Sequence, residues 1–296
     1  MEPCCDLGPL DGPVLAFGGP YGNLEATRAL LSEARALGIP PDRTICTGDL
    51  VAYCGAPRET VAALRAAGVH CVMGNVEESL AADSGDCGCD YAAGSSCATL
   101  AEAWYAFART ALDAGDVRWL ARLPRTLRFE LGGRRFAVVH GAPSRINRWI
   151  FPSTPDDTLR AEIAASGCDG VVAGHSGIPF SRVVAGRLWH NAGVVGLPAN
   201  DGTPRVWYGV LRAEADGIAV EHRPFGYDHE SAAATLRTRG LPAGYADALE
   251  TGRWPSLDIL PPTERARTGI PLGAATLLWP ADRPDAAIRQ GRIVSR

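Results

Sequence analysis

The first third of the chain alternates short runs of β-forming residues with amphipathic segments, and this alternation restricts the available folds more than any other feature. The runs at 14–17, 44–47 and 69–73 predict strands. The segments after the first two predict helices, one capped by Asn23 and one near 58–67. Because strands that alternate with helices usually form a sheet covered by helices, we predict an α/β fold.

The second half of the chain has a different pattern. Two short turns, Gly132-Gly133 and Ala185-Gly186, each separate a pair of β-rich runs, as the turns of hairpins do. Further strands are predicted near 206–211 and 218–223. We therefore expect a more antiparallel sheet in this half.

Composition excludes several classes of protein. The 296 residues are 46% hydrophobic and 21% charged, as in ordinary globular proteins, and the net charge of -4 gives no general attraction to nucleic acid or anionic membranes. No apolar run approaches the roughly 20 residues of a membrane helix, and the first residues lack the pattern of a signal peptide. We expect a cytoplasmic protein whose nine cysteines are reduced thiols or metal ligands.

Four polar residues each follow a β-rich run, namely Asp49, Asn75, His140 and His175. Taken singly, such residues are more typical of turns or of hydrogen-bonded structural histidines. Because the carboxyl ends of strands meet at one edge of an open sheet, the four side chains could converge there. One carboxylate, one amide and two imidazoles suit Mn, Fe or Zn better than Ca, so the set predicts a divalent transition-metal site.

The order of these motifs resembles the calcineurin-like metallophosphoesterase family, especially its compact bacterial phosphodiesterase and diadenosine-tetraphosphatase-like branch. Gly48-Asp49, Gly74-Asn75, His140-Gly141 and Gly174-His175 are similar to the second to fifth of five family motifs, and the likeness covers about residues 14–198. The segments GNLEATRALL and NAGVVGLP are similar to the family's first helix and to the stretch after its last motif. The resemblance implies two packed mixed sheets flanked by helices, in four layers, with two metals at the strand ends.

Three positions depart from the family pattern. Gly19 and Tyr21 stand where the family has its first Asp and His, and Gly177 stands where it has its last His. All three missing ligands belong to one of the two metals, whereas the four ligands of the other metal are present. We therefore expect one metal ion, or two ions completed by unfamiliar ligands such as a Tyr21 phenolate.

The reacting part of the predicted site is also altered. Val76 replaces the histidine that assists the reacting phosphate in the family, and Glu77 keeps the acidic position after it. General acid catalysis contributes about 100- to 10,000-fold, so esters with activated leaving groups are the expected substrates. Tyr21 and Glu77 are the remaining catalytic candidates. Arg145 and Arg148 are candidates for binding phosphate, although exposed loop residues are an equal alternative.

A glycine-rich insert at 83–97 contains Cys87, Cys89 and Cys97. With a fourth ligand from elsewhere, such as one of the two N-terminal cysteines, these thiols could hold a structural zinc. Free thiols in a loop over the active cleft and a disulfide are the alternatives.

The sequence suggests two regions, a metallophosphoesterase-like domain at 1–252 and a Pro- and Arg-rich arm or tail at 253–296. The arm could pack on the domain or on a second copy of the chain, giving a homo-oligomer. For function, we expect hydrolysis of a small phosphodiester or activated phosphomonoester. The alternatives are a degenerate family member that serves as a metal- or nucleotide-binding sensor or docking module, and other metal chemistry at the altered centre.

Overall fold

The structure, a computed structural model, describes residues 4–281 and contains two six-stranded mixed sheets. From edge to edge, the first sheet consists of β1 (Cys4–Pro9), β5 (Thr126–Leu131), β6 (Arg134–Val138), β7 (Gly170–Ala173), β9 (Arg187–Asn191) and β8 (Phe180–Val184). The second consists of β12 (Ala275–Pro280), β11 (Gly217–Phe225), β10 (Val206–Glu214), β2 (Val14–Phe17), β3 (Thr44–Cys46) and β4 (His70–Cys71).

The helices of the described residues lie on the outer faces of the two sheets or in their connections. They are α1 (Leu24–Ala36), α2 (Pro57–Ala67), α3 (Asn75–Ala81), α4 (Ser96–Ala111), α5 (Ala114–Leu120), α6 (Asp156–Ser166), α7 (His229–Thr238), α8 (Ala243–Thr251) and α9 (Pro262–Arg265). Within this part of the chain, no helix is both long and apolar enough to cross a bilayer.

Strand β2 shows how the layers are built. Its side chains alternate between faces, so Val14 and Ala16 join a core shared with the first sheet, while Leu15 and Phe17 join a core shared with α1, α2, α7 and α8. On the far side, Leu159 and Ile163 of α6 pack on the first sheet. Two mixed sheets packed together and covered by helices confirm the predicted four-layer α/β sandwich.

Both predicted hairpin turns are present. Gly132 and Gly133, which connect β5 to β6, have φ of 57° and 74°, and Ala185 and Gly186 connect β8 to β9 with φ of 50° and 75°. Positive φ at both central residues is the geometry of a two-residue hairpin whose twist matches its strands. Glycine adopts it freely, which is why the sequence marks these turns clearly.

The parallel strands bring the predicted ligands to one edge. Strands β2, β3 and β4 run parallel in the second sheet, as do β6, β7 and β9 in the first. A parallel bridge between Gly18 and Val194 joins the loops beyond β2 and β9. The carboxyl ends of the two parallel groups therefore meet, as a site built from loops requires.

The predicted C-terminal arm is packed against the domain as far as residue 281. Strand β12 extends the second sheet beyond β11, and Trp279 is buried in the core between the sheets. Earlier in the arm, Trp254 donates its indole N–H to the carbonyl of Pro198 at 2.7 Å. Residues 282–296 of the arm lie outside the described residues.

Candidate metal centre

The loops after β3 and β7 turn sharply at the shared sheet edge. Asp49 and His175, each preceded by a glycine, have left-handed backbone conformations with φ of 54° and 61°. Residues other than glycine seldom adopt this conformation, which costs on the order of 1–3 kcal/mol, and such strain is frequent at active sites. The strained turns place both side chains beside His140, which follows β6.

Three of the four predicted ligands converge. The Oδ2 atom of Asp49 lies 3.2 Å from Nε2 of His140, and the same nitrogen lies 3.0 Å from Nδ1 of His175. One donor atom from each residue falls within 4.8 Å of the other two, and all three side chains are buried. Two ligands that are each about 2.1 Å from one ion stand roughly 3.0–3.4 Å apart at octahedral or tetrahedral angles, so the observed spacings fit a shared cation.

Hydrogen bonding orients His140 for this role. Its Nδ1 lies 2.7 Å from the carbonyl of Thr47, so this nitrogen carries the proton and Nε2 faces the centre. Burial alone would lower the pKa of His140, but the Asp49 carboxylate outweighs it and the pKa is raised. A proton on Nε2 and a metal ion would therefore compete for the same position.

The other two titratable ligands have the protonation states that a metal needs. Burial and then the positive charge of His140 lower the pKa of His175 to about 3, so its imidazole is neutral near pH 7. Burial would raise the pKa of Asp49, yet the interaction with His140 lowers it and keeps the carboxylate ionised.

Asn75, the fourth predicted ligand, is the first residue of α3. Its amide nitrogen donates to the carbonyl of Cys87 at 2.8 Å and to Sγ of Cys89 at 3.3 Å. Its amide oxygen is buried and has no hydrogen-bond partner among residues 4–281. A buried acceptor without a partner is costly unless something else binds it, so the free oxygen fits a metal ligand.

Glu77, a catalytic candidate from the sequence, accepts hydrogen bonds from the backbone of two loops. Its carboxylate accepts 2.8 Å hydrogen bonds from the backbone N–H groups of Asp49, Leu50 and Gly74. Burial and then the negative charge of Asp49 raise its pKa to about 7. The side chain thus ties the loop after β3 to the loop after β4, and positions Asp49 beside Asn75.

Comparison with known proteins agrees with this geometry. The model of the calcineurin-like phosphoesterase superfamily domain matches residues 22–216, which is more than half of the chain. The chain belongs to this superfamily. Its members are metal-dependent phosphoesterases, and in the structure Asp49, His140 and His175 lie close enough together that they could hold a metal ion.

Individual relatives are distant. The uncharacterized protein MJ0912 of Methanocaldococcus jannaschii is 26% identical over 250 residues, covering 79% of this chain and 95% of that protein. The hypothetical protein PH1004 from Pyrococcus horikoshii OT3 is 18% identical with a TM-score of 0.70, covering 82% of this chain and 99% of that one. A metallophosphoesterase from Sphaerobacter thermophilus is 24% identical with a TM-score of 0.62, covering 81% and 98% respectively. Both structures share the fold.

Aromatic rings lie against two of the three positions where the superfamily resemblance implies missing ligands. A Cβ added to Gly19 would lie 2.3 Å from a ring carbon of Tyr21, and one added to Gly177 would lie 3.1 Å from the ring of Trp254. Burial and then the charge of Asp49 raise the pKa of Tyr21 well above its ordinary value, so the side chain is a neutral phenol. In this chain a ring therefore lies against each of these two glycines.

Val76 replaces the family histidine with a buried apolar side chain. Its side chain joins the core below the second sheet, while its backbone N–H donates to Oδ1 of Asp49 at 3.3 Å. The residue therefore helps to orient a ligand but cannot donate a side-chain proton to a leaving group.

The two arginine candidates have different surroundings. Arg148 is 2.6 Å from the buried carboxylate of Glu162 on α6, so its guanidinium already has a buried partner. Arg145 is 58% exposed and pairs at 3.1 Å with Asp90 in the cysteine insert, which is also exposed. Of the two, only Arg145 has a partner that an incoming phosphate could readily replace.

The cysteine insert approaches the centre without assembling a set of three thiolates. The Sγ atoms of Cys87 and Cys89 are 2.6 Å apart, whereas Cys97 lies on α4 beside Ser256. All nine cysteines are free thiols, and the two N-terminal ones lie on the exposed edge strand β1. In the described part of the chain the three insert cysteines do not converge on a metal position, and a structural zinc stays a prediction.

Sequence reasoning missed the aromatic wall of the site. Trp149 lies against His175 with ring centroids 3.8 Å apart, and Tyr91 of the insert stacks on Trp149 at 6.4 Å. Tyr53 contacts Tyr21 edge to face at 4.7 Å. The available signal was the position of Tyr53 and Trp149, which each follow a ligand motif by fewer than ten residues.

Proposed function

We propose that this chain hydrolyses phosphoric esters at a centre that holds a single divalent transition-metal ion. The observation that carries the proposal is the convergence of Asp49, His140 and His175, all buried and within 4.8 Å, in a superfamily of metallophosphoesterases. A single ion is favoured because Gly19 and Gly177 supply no ligand and the rings of Tyr21 and Trp254 lie against them.

The roles of the residues follow from their contacts. The three converging side chains and the Asn75 oxygen would hold the ion, which when bound polarises a phosphoryl oxygen and lowers the pKa of water. Thr47 fixes the tautomer of His140, and Glu77 holds the Asp49 loop. Arg145, whose charge acts on His175, would exchange Asp90 for a phosphate oxygen.

The leaving group must depart without help from residue 76. Because Val76 offers no proton, esters of acidic alcohols would react fastest, and esters of ordinary alcohols would lose about 100-fold or more. Phosphodiesters and activated phosphomonoesters are therefore the proposed substrates.

The first test combines metal content with turnover. We expect purified protein to bind about one Mn, Fe or Zn ion per chain and to hydrolyse bis-p-nitrophenyl phosphate, and His175→Ala to lose both properties because removal of a ligand severely weakens metal binding. The matched control is His229→Ala at the start of α7, which should keep both. Two ions per chain would contradict the single-ion centre, and inactivity with every metal would contradict hydrolysis.

A metal-binding sensor is the second candidate. The observation that favours it is the buried Val76 in place of a proton donor. One tightly bound ion per chain with no turnover of any activated ester would support the sensor over the hydrolase.

A further inference from the structure

A cavity lined by aromatic rings adjoins the metal centre. It measures about 510 Å³ including its open mouth, and His175 forms part of its wall together with Ser176 and Gly177. The rings that line it are those of Tyr21, Tyr53, Tyr91, Trp149, Tyr245 and Trp254. We call this cavity the aromatic slot.

The slot begins at the metal centre itself. The Trp149 ring lies 3.8 Å from the His175 ring, and Tyr91 stacks on Trp149 with an interplanar angle of 26°. On another part of the wall, Tyr53 and Tyr245 stack at 4.9 Å and 29°. The organic group of a phosphoester held at the centre would therefore contact aromatic rings immediately beyond its phosphate.

The slot is suited to an uncharged flat group. Its lining contains no Asp, Glu or Arg, and its polar groups other than His175 belong to tyrosine, tryptophan, serine and cysteine side chains. Tyr53, Tyr91, Trp149 and Trp254 are half-buried, so each retains surface that a ligand can cover. Aromatic rings attract other rings through offset stacked or edge-to-face contacts.

The absence of a proton donor at Val76 also favours a substrate with an aromatic leaving group. Val76 cannot protonate a leaving alkoxide, but a phenol-type alcohol leaves as a stabilised anion without a proton. Because the slot lies beside His175, a ring bound in it would be close to an ester whose phosphate is at the metal centre. Gly19 and Gly177 matter here because larger residues would displace the Tyr21 and Trp254 rings.

We propose that the aromatic slot binds the ring of an aryl phosphoester, a substrate in which an aromatic ring is attached directly to the ester oxygen. This inference rests on the proposed function, because it assigns the organic half of the substrate at the same centre. The slot selects the ring by stacking, and Trp149 and Trp254 are specificity-determining residues.

The test measures binding with two ligands that cannot be hydrolysed. Phenylphosphonate and methylphosphonate carry the same anionic group on a carbon–phosphorus bond and differ only in the ring. By titration calorimetry on the metal-loaded protein, we expect phenylphosphonate to bind about tenfold more tightly. Equal affinities would overturn the inference, and tighter binding of a nucleoside 5′-phosphonate than of phenylphosphonate would overturn the direct attachment of the ring.

Two variants test whether the preference for phenylphosphonate over methylphosphonate arises in the aromatic slot. Trp254→Leu and Tyr245→Leu each remove one ring from the slot without altering a predicted ligand, and each should reduce the preference for phenylphosphonate several-fold while methylphosphonate binding stays the same. The control Trp119→Leu, on α5 and outside the slot, should keep the full preference. A preference that survives both slot substitutions would place the ring elsewhere and overturn the assignment.

Failure of this inference can be told apart from failure of the proposed function. If the protein hydrolyses bis-p-nitrophenyl phosphate but binds both phosphonates equally, the proposed hydrolysis is supported and the binding of an aryl ring in the slot is overturned. If it prefers phenylphosphonate but hydrolyses no ester, the slot is supported as a binding site for an aryl ring and the proposed hydrolase activity is overturned.

Discussion

At the scale of single residues, Glu77 has the most demanding structural role in the site. It is completely buried and accepts three backbone hydrogen bonds from two separate loops. Glu77→Ala would leave three buried N–H groups without a partner, each costing about 1–3 kcal/mol. We expect the free energy of unfolding, measured by urea denaturation, to fall by at least about 3 kcal/mol.

The neighbouring residue provides the control for this prediction. Glu78 lies one position further along α3, is 38% exposed and pairs with Arg125. Because exposed ion pairs contribute about 1 kcal/mol or less, Glu78→Ala should change stability little. If both substitutions had the same small effect, Glu77 would not be what holds the two loops together.

The ligand residues were predictable because each follows a strand, and three of them follow a glycine. The role of Glu77 was not predictable, because two of its three backbone partners are residues 49 and 50. Only the folded chain brings these residues near α3. The rings of the slot were also hidden, since a lone aromatic residue is usually part of the core. These rings come from positions 21, 53, 91, 149, 245 and 254.

At the scale of secondary-structure elements, the segment between α3 and α4 supports one ligand. Cys87 and Cys89 receive both hydrogen bonds of the Asn75 amide nitrogen, which leaves the amide oxygen free for the centre. Cys89→Ala removes one of these acceptors and loosens the amide. Because groups that orient a ligand typically contribute about 10- to 100-fold to metal affinity, we expect a loss of about tenfold by competition with a chelator.

A second buried thiol serves as the matched variant. Cys168 follows α6 and is as buried as Cys89, but no described contact joins it to the metal ligands. Cys168→Ala should therefore keep the metal affinity of the unsubstituted protein. An unchanged affinity in Cys89→Ala, with thermal stability also unchanged, would show that Asn75 is oriented by other contacts.

Elements whose signals are local were predictable, and elements that depend on distant partners were not. The hairpins of β5–β6 and β8–β9 were predicted from their two-residue turns, which the sequence identifies. Strand β12 lies in a Pro- and Arg-rich stretch and exists because β11 offers it an edge and the sheet core accepts Trp279. Strand β1 likewise pairs with β5, more than one hundred residues away.

At the scale of the whole molecule, a buried hydrogen-bond network connects the two sheets. The hydroxyl of Ser181 on β8 lies 2.8 Å from Nδ1 of His190 on β9 and 2.8 Å from Nε2 of His222 on β11. The first two residues belong to one sheet and His222 belongs to the other. One hydroxyl can donate to one imidazole and accept from the other, and burial keeps both rings neutral by lowering their pKa values.

Acid should therefore weaken the contact between the sheets before the carboxylates protonate. Burial lowers the pKa of His222 to about 4, and burial followed by the charge of His222 lowers the pKa of His190 well below its ordinary value. In the unfolded chain both histidines titrate near about 6.5. Below that pH the unfolded state binds protons that the folded state excludes, so the stabilisation is complete above about pH 6.5 and decreases as the pH falls toward 4.

We expect His222 alone to account for a loss of about 3 kcal/mol in the free energy of unfolding between pH 6.5 and 4, measured by urea denaturation at several pH values. His222→Gln keeps a polar side chain that does not titrate, so its stability should be lower at pH 7 but should vary less over this range. His229→Gln, a half-buried histidine on α7 outside the network, should retain the full dependence. A slope that is the same in His222→Gln and in the unsubstituted protein would mean that the acid sensitivity arises elsewhere.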